Sequence, residues 1–348
     1  MKLKKIIALI LSLSLFTPIL VSCKKEEKST VMSKSYYEYF DTVSTIFSYR
    51  GDSEEEFTAN YTAVRDLLDE YHKLLNIYYE YTGINNVKTI NENAGIEPVK
   101  VDEKLIDFLI YAKEMYTLTS GKMNITLGSV LKLWHDCRED GIADPENAKI
   151  PDMDQLTNAA EHCDINNLII DKAAGTVYIA DPEMQLDVGA IGKGYATEKA
   201  AELLIERGVS AYVLNIGGNI RTIGAKPDGK GWDTGITHPN KNASEQFITK
   251  VNIKDISLVT SGNYERFYTV NGVSYHHIID PATLMPAEYF SSVSIFTTDG
   301  GLADALSTAL FCMSYEEGLA LIESIGGVDV IWVGLDYSIK HTSGITFI

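Results

Sequence analysis

The hydrophobic period changes along this chain, and that change limits the folds open to it. Phe57, Tyr61, Val64, Leu67, Leu68, Tyr71, Leu74 and Leu75 recur at three- and four-residue steps. That is the spacing of one helical face, so a helix is expected over 54–75. Helices are expected also over 103–118, closed by Ser120-Gly121, and over about 126–137. The period then shortens. Runs at 168–170 and 177–179 flank Ala173-Ala174-Gly175 and read as a hairpin. A helix over about 194–207 leads into a strand over 211–215. Strand-like runs follow near 220–225, 232–236, 247–253, 257–260, 267–270, 275–279 and 292–296. Two helices, about 301–313 and 315–324, precede closing strands at 328–333 and 338–342. Helices come first and strands dominate the second half, which predicts an α+β fold rather than regular βαβ alternation. No internal repeat is visible, and no linker divides the body.

The N-terminus sets the compartment. Met1-Lys2-Leu3-Lys4-Lys5 is basic, and residues 6–22 carry no charge. This stretch is short of the roughly 20 residues a membrane-spanning helix needs, and it contains Pro18. It ends in Leu20-Val21-Ser22-Cys23, which resembles the lipobox of bacterial lipoproteins. In such proteins a diacylglycerol is attached to the Cys and the chain is cut before it; an ordinary signal peptide is the plainer alternative. The expected division is a signal over 1–22, lipidated Cys23 with a polar tether over 23–35, and one folded body over 36–348. The expected location is extracytoplasmic, lipid-anchored to the bacterial cell membrane. Loss of Lys2, Lys4 and Lys5 takes the net charge from −18 to −21. So acidic a body argues against nucleic-acid partners and against electrostatic capture by anionic lipid. Cys137, Cys163 and Cys312 remain, an odd number at unrelated spacings, giving neither a disulfide framework nor a metal cluster.

Four polar or Gly-rich clusters sit beside apolar runs. In Asp187-Val188-Gly189-Ala190-Ile191-Gly192-Lys193-Gly194-Tyr195 the glycines permit close backbone approach, and the helix that follows presents free N–H groups to an anion. The spacing fits neither a Walker loop nor a dinucleotide fingerprint, so a simple helix-entry turn stays open. Asn215-Ile216-Gly217-Gly218-Asn219 is either a plain hairpin corner or bare backbone for a flat ligand or phosphate. Thr260 to Arg266 continues into Tyr275-His276-His277-Ile278-Ile279-Asp280-Pro281. His276 and His277 would face opposite ways on a strand, so one is expected to be structural. Arg266 suits a buried salt bridge or a phosphate clamp. Asp304 and Thr308 lie four apart on one helical face and offer hard oxygens suited to Mg²⁺, although an Asp near a helix start is also a common cap.

Taken together and in this order, the clusters resemble the ApbE family, the FAD:protein FMN transferases, over about residues 37–334. Asp187 to Ala196 is similar to the family's D-x-G-x-I-A-K-G-Y-A segment, with Gly192 replacing the usual Ala. Tyr275 to Pro281 matches Y-x-H-I-x-D-P, and Ala303 to Thr308 matches A-D-A-L-S-T. The resemblance implies a T-fold-related body and Mg²⁺ held by the side chains of Asp304 and Thr308 and the carbonyl of Ala190. It also implies FAD, as substrate, touching Asp187 and Lys193, the Gly217-Gly218 turn and Ile278. Phe40 of Phe40-Asp41-Thr42 occupies the family's M-G-T position, and Tyr78 the S-T-Y position beside the flavin. Gly121-Lys122-Met123-Asn124 stands in place of a G-A-F-D stretch, which implies cofactor contacts at Lys122, Met123 and Asn124, with Asn124 where an Asp is usual.

The reaction implied is transfer of FMN to a Thr or Ser of an acceptor flavoprotein bearing an S/T-G-A-T/S motif, with release of AMP. Such an acceptor would be a membrane redox subunit or a flavin-carrying lipoprotein. With Asp304, His277 is expected to be catalytic, because imidazole titrates near neutral pH. The alternatives are an Mg²⁺-dependent FAD pyrophosphatase and a non-catalytic FAD-binding lipoprotein. Ser343-Gly344-Ile345-Thr346 loosely resembles the acceptor motif, which raises self-modification at Thr346 as a question.

Overall fold

The first long helix forms where the apolar period and the capping signals agree. A computed structural model describes residues 31–348. The signal segment, Cys23 and the tether up to Thr30 lie outside the described residues. Ser53 Oγ accepts from the Glu56 N–H (3.2 Å) while Glu56 Oε2 accepts from the Ser53 N–H (2.9 Å), a reciprocal cap. Behind it Glu54–Leu74 (α1) buries Phe57, Val64, Leu68, Tyr71 and Leu74, the periodic set.

In chain order, β1 (Met32–Tyr36) and β2 (Ser44–Ser48) precede α1. Then come α2 (Val87–Glu92), β3 (Val99–Lys100), α3 (Glu103–Leu118), α4 (Gly128–Ala143), α5 (Met153–Ala160), β4 (Leu168–Asp171) and β5 (Thr176–Ile179). After α6 (Gly192–Glu206) run β6 (Tyr212–Ile216), β7 (Asn219–Ile223), β8 (Trp232–Thr237), β9 (Phe247–Ile253), β10 (Ser257–Gly262), β11 (Phe267–Val270), β12 (Val273–His276) and β13 (Ser292–Thr297). The chain closes with α7 (Gly300–Phe311), α8 (Tyr315–Ile325), β14 (Asp329–Val333) and β15 (Ile339–His341).

One antiparallel sheet of eight strands, in the order β1-β2-β6-β7-β10-β13-β14-β15, carries the body. Period-two alternation sorts its side chains onto two faces. Val293 and Ile295 of β13 and Val330 and Trp332 of β14 pack with Leu306, Leu310 and Phe311 of α7. Phe296, Ile331 and Val333 point the other way, against Trp232 and Ile236 of β8 and Val251 and Ile253 of β9. Because both faces are covered, β13 is buried at every residue. A separate apolar group joins the β11–β12 hairpin to α4 and α5 through Val130, Trp134, Leu156, Tyr268 and Val270.

The α+β class is borne out, with departures at the boundaries. Residues 32–35, expected in the tether, are sheet: β1 pairs with β2, and Tyr36 at its end is buried. The two strands escaped notice because Ser33, Lys34, Ser35, Ser44, Thr45 and Ser48 dilute the apolar signal of edge strand β1 and of its neighbour β2. The third helix starts at Gly128, because Asn124 Oδ1 takes the Thr126 N–H (2.9 Å) and hydroxyl (2.7 Å) in a turn. It continues to Ala143, where Gly141 lets the ring of Tyr268 lie against the helix. The strand expected over 275–279 ends at His276. Beyond it Ile278 N–H turns back onto His276 Nδ1 (3.2 Å), and Ile279 forms only an isolated bridge with Pro286.

Candidate active site

Several loops, the Gly217-Gly218 corner, the start of α6 and one face each of α4 and α7 open into one cleft of about 1050 Å³. Among the residues singled out in the sequence, Phe40, Tyr78, Lys122 and Asn124 line it, as do Asp187, Ala190, Lys193, Gly217 and Gly218. His277, Ile278, Asp304 and Thr308 complete the set. Met123 is the exception. Its side chain is fully buried in the main core, and its N–H donates to Thr119 Oγ1 at 3.1 Å. The expected cofactor contact at Met123 is therefore corrected to a packing role.

The polar end of the cleft is built where α6 crosses α7. A Cβ on Gly194 would fall inside contact distance of Gly300 O and Asp304 Cβ, so the glycine permits the close crossing. It brings the buried Asp304 carboxylate to the start of α6, where Oδ2 accepts from the Gly194 N–H at 2.8 Å. Burial pushes the Asp304 carboxyl pKa up, while Lys193 and that N–H pull it down. Thr308 stands one turn further along α7. Among the described residues, neither Asp304 nor Lys193 makes a salt bridge. A buried carboxylate, a hydroxyl and a loop at Ala190 suit a hard divalent cation that keeps room for phosphate oxygens. No cluster of three or more His, Cys, Asp or Glu side chains occurs among the described residues. A cation there would depend on the hydroxyl and a carbonyl as well as Asp304.

The arrangement is braced from behind. Glu198, one turn after Gly194, accepts from the Gly300 N–H at 2.8 Å and pairs with Arg221 of β7 at 3.0 Å. Asp299 caps α7 through the Gly301 N–H (2.8 Å) and Leu302 N–H (3.1 Å), and Tyr111 Oη donates to its other oxygen at 2.9 Å.

The apolar end has different walls. Tyr78 lies near His135 of α4, ring centroids 5.7 Å apart. Gly217 and Gly218 hold left-handed backbone at φ 56° and 87°, and a Cβ on Gly217 would stand 2.5 Å from Thr42 Cγ2. Asp187 Oδ1 takes the Gly189 N–H at 2.8 Å. Burial raises this carboxyl's pKa, against that N–H and the charges of His135, Lys193 and Arg266. Lys122 is committed to the scaffold: Nζ pairs with buried Asp280 at 2.9 Å. Asn124 is committed likewise, its oxygen to Thr126 and its Nδ2 donating to Cys163 O at 3.3 Å. Arg266 is exposed on the cleft wall and forms no salt bridge among the described residues, which removes the buried-pair alternative.

The adjacent histidines divide as expected. His276 is the structural one: Nε2–H donates to Ala287 O (2.9 Å) while Nδ1 accepts from the Ile278 N–H (3.2 Å). His277 Nδ1 lies 3.2 Å from Arg266 O, so Nδ1 must carry the proton and Nε2 is left as an acceptor. Burial first, then the Arg266 guanidinium, hold its pKa down at about 3, so the ring is neutral near pH 7.

Sequence reasoning missed one wall. Leu131, Trp134, His135 and Arg138 line the cleft from α4 at i, i+3, i+4 and i+7, a one-faced helical pattern legible in principle. His72 was also missed. Thr346, by contrast, is not in the cleft lining. Its neighbours are held by Gly344 N–H on Asp329 Oδ1 (3.2 Å), the Phe347–Val251 bridge and Ile348 N–H on Lys250 O (3.1 Å).

Comparison with known proteins agrees across most of the chain. A model described as the ApbE family matches residues 40–332. The FAD:protein FMN transferase of Treponema pallidum is 36% identical over 270 residues, 74% of this chain and 72% of that protein. The ApbE protein of Thermotoga maritima, a crystal structure, superposes with TM-score 0.78 at 26% identity, covering 90% of this chain and 98% of its own. The flavin transferase ApbE from Vibrio cholerae gives TM-score 0.73 at 25% identity, with 90% and 96% covered.

Proposed function

This chain belongs to the ApbE family, and we propose that it is an FAD:protein FMN transferase acting with Mg²⁺ on a Thr or Ser of an acceptor flavoprotein. The observation that carries the reading is the polar end of the cleft. There a buried carboxylate, a helix start and Lys193 converge in a space at the top of the range for small-molecule sites, roughly 300–1,000 Å³. Asp304, Thr308 and the Ala190 carbonyl would hold the ion. When bound, Mg²⁺ neutralises charge on the bridging and leaving oxygens of a pyrophosphate. Lys193 and the positive end of the α6 dipole would attract and orient the same phosphates. The acceptor hydroxyl oxygen forms the new bond to the FMN-side phosphorus, the bond from that phosphorus to the bridging oxygen breaks, and AMP leaves. His277 Nε2, an acceptor at pH 7, would take a hydrogen bond from the attacking hydroxyl and relay its proton to solvent, since a ring with a pKa of about 3 does not keep it.

The acceptor is a protein carrying the S/T-G-A-T/S motif on the outer side of the membrane. Lipid at Cys23 would hold the enzyme there. No helix among the described residues is long and apolar enough to cross a membrane.

The test uses the body without its signal, FAD, Mg²⁺ and an acceptor domain bearing the motif. Intact mass of the acceptor is read beside nucleotide chromatography. An FMN-sized gain with matching AMP is expected. Free FMN and AMP with an unmodified acceptor would replace the reading by a pyrophosphatase, and intact FAD by a binding protein.

His277→Gln is expected to lower the transfer rate by about 10²-fold while leaving FAD affinity near wild type. With its pKa near 3, the wild-type ring stays neutral from pH 5 to 8. The rate profile then shows no acid limb at the ordinary imidazole value. A limb near 6.5 that disappears in the variant would sink this assignment.

A further inference from the structure

Two of the loops that wall the cleft are tied together by one imidazole outside the residues already assigned. Phe40 and Asp41 both hold left-handed backbone, at φ 55° and 50°, a costly conformation for residues with a Cβ that persists only where neighbours impose it. On the N-terminal side of this turn the Phe40 N–H donates to His72 Nδ1 at 3.2 Å, and the Phe40 ring meets the imidazole edge-on, centroids 5.6 Å apart. The other ring nitrogen, Nε2, lies 3.2 Å from Tyr81 Oη. Asn76 Nδ2 donates to the same hydroxyl oxygen at 3.2 Å. Asn76 Oδ1 in turn accepts the N–H groups of Tyr78 (2.8 Å) and Tyr79 (2.7 Å). An unbroken chain therefore runs from the Phe40 backbone through His72, Tyr81 and Asn76 to the backbone of Tyr78. Phe40, His72, Asn76 and Tyr78 all line the cleft.

The roles of the two nitrogens follow from their partners. Nδ1 accepts a backbone N–H, so Nε2 carries the proton and donates to Tyr81 Oη. No other side chain reaches both loops in this way among the described residues. The helix end that carries His72 is rigid, since α1 buries Leu68, Tyr71 and Leu74 on either side of it. We infer that His72 is a positioning residue for the flavin end of the cleft. It fixes the Phe40–Asp41 turn and the Tyr78 loop at the separation a flat ring system requires. The inference rests on the reading that the cleft takes FAD.

The test measures FAD affinity by fluorescence quenching, KM and kcat for transfer, and thermal midpoints, on the full chain. His72→Phe keeps a ring and loses both hydrogen bonds. It is expected to weaken FAD binding roughly tenfold, the consequence of one unpaired backbone donor at the wall, with KM moving more than kcat. His72→Asn returns an acceptor at the place of Nδ1 and is expected to recover most of that loss. Equal FAD affinity in wild type and His72→Phe overturns the inference, as does an Asn variant no better than the Phe variant. If His72→Phe does not fold, Tyr81→Phe removes only the hydroxyl link, and an unchanged affinity there overturns it too. A wild-type protein that does not bind FAD overturns the functional reading and this inference with it.

Discussion

Asp304→Asn is expected to reduce FMN transfer by about 10³-fold without loss of fold. The size of the effect follows from what the carboxylate does. Removing one preorganised group that stabilises transition-state charge costs about 10²–10³ in rate, and Asp304 would be the only anionic ligand of the ion. The side chain of Asn fills the same space and can still accept the Gly194 N–H now received by Oδ2 at 2.8 Å. The charge alone is lost. Stability should move the other way, because the wild-type carboxylate is buried with no salt-bridge partner among the described residues. Burying an uncompensated charge is unfavourable, so the neutral variant should melt at or above the wild-type temperature when Mg²⁺ is absent. Added Mg²⁺ should raise the wild-type midpoint and leave the variant's unchanged, since only a site that binds the ion gains from it. A variant retaining more than about a tenth of wild-type transfer, on the scale of that 10²–10³ loss, would remove Asp304 from the centre of the mechanism.

Asp304 also marks where the sequence was readable. Its neighbours in Ala303-Asp304-Ala305-Leu306-Ser307-Thr308 carry a helical period, and the placement of Asp304 and Thr308 on one face is a local property. Gly192-Lys193-Gly194 was readable only beside the other clusters, since alone a glycine pattern at a helix start is equally a plain entry turn. What could not be read is the pairing of distant segments. Nothing local in Lys122 announces Asp280, 158 residues away, and the pair anchors a side chain that also lines the cleft. Met123 failed for a related reason: a Met between two polar residues looks available to a ligand until the core closes over it. Edge strand β1 and its neighbour β2 were invisible because β1 carries little apolar signal and two of the three buried positions of β2 are Ser44 and Ser48. The α4 wall was legible but masked, its Leu131, Trp134 and His135 spacing looking like ordinary core. His72 shows the limit most clearly, since its meaning lies in two loops that only the fold brings to it.

The second large effect should appear in stability rather than rate. Arg221→Met is expected to destabilise the protein by about 3–5 kcal/mol, the cost of breaking a buried ion pair from one side. For a domain of this size that is roughly 4–8 °C in thermal midpoint. The Arg221 and Glu198 side chains are only 8% and 13% exposed. All three guanidinium nitrogens of Arg221 donate, Nε to Glu198 Oε2 at 3.0 Å, Nη2 to Glu198 Oε1 at 3.3 Å and Nη1 to Thr222 O at 2.7 Å. Its loss leaves the largely buried Glu198 carboxylate without its cation, held only by the Gly300 N–H and Ser257 Oγ. The surface pair Lys34–Glu54, at 35% and 78% exposure, offers the contrast: breaking it should cost no more than about 1 kcal/mol. Replacing both members, Glu198→Leu with Arg221→Met, should recover part of the stability by removing the stranded charge. It should not recover Mg²⁺ affinity, because Glu198 also fixes Gly300, and through the first turn of α7 it fixes Asp304. Recovery of both together would mean that the pair holds the fold but plays no part in placing the carboxylate.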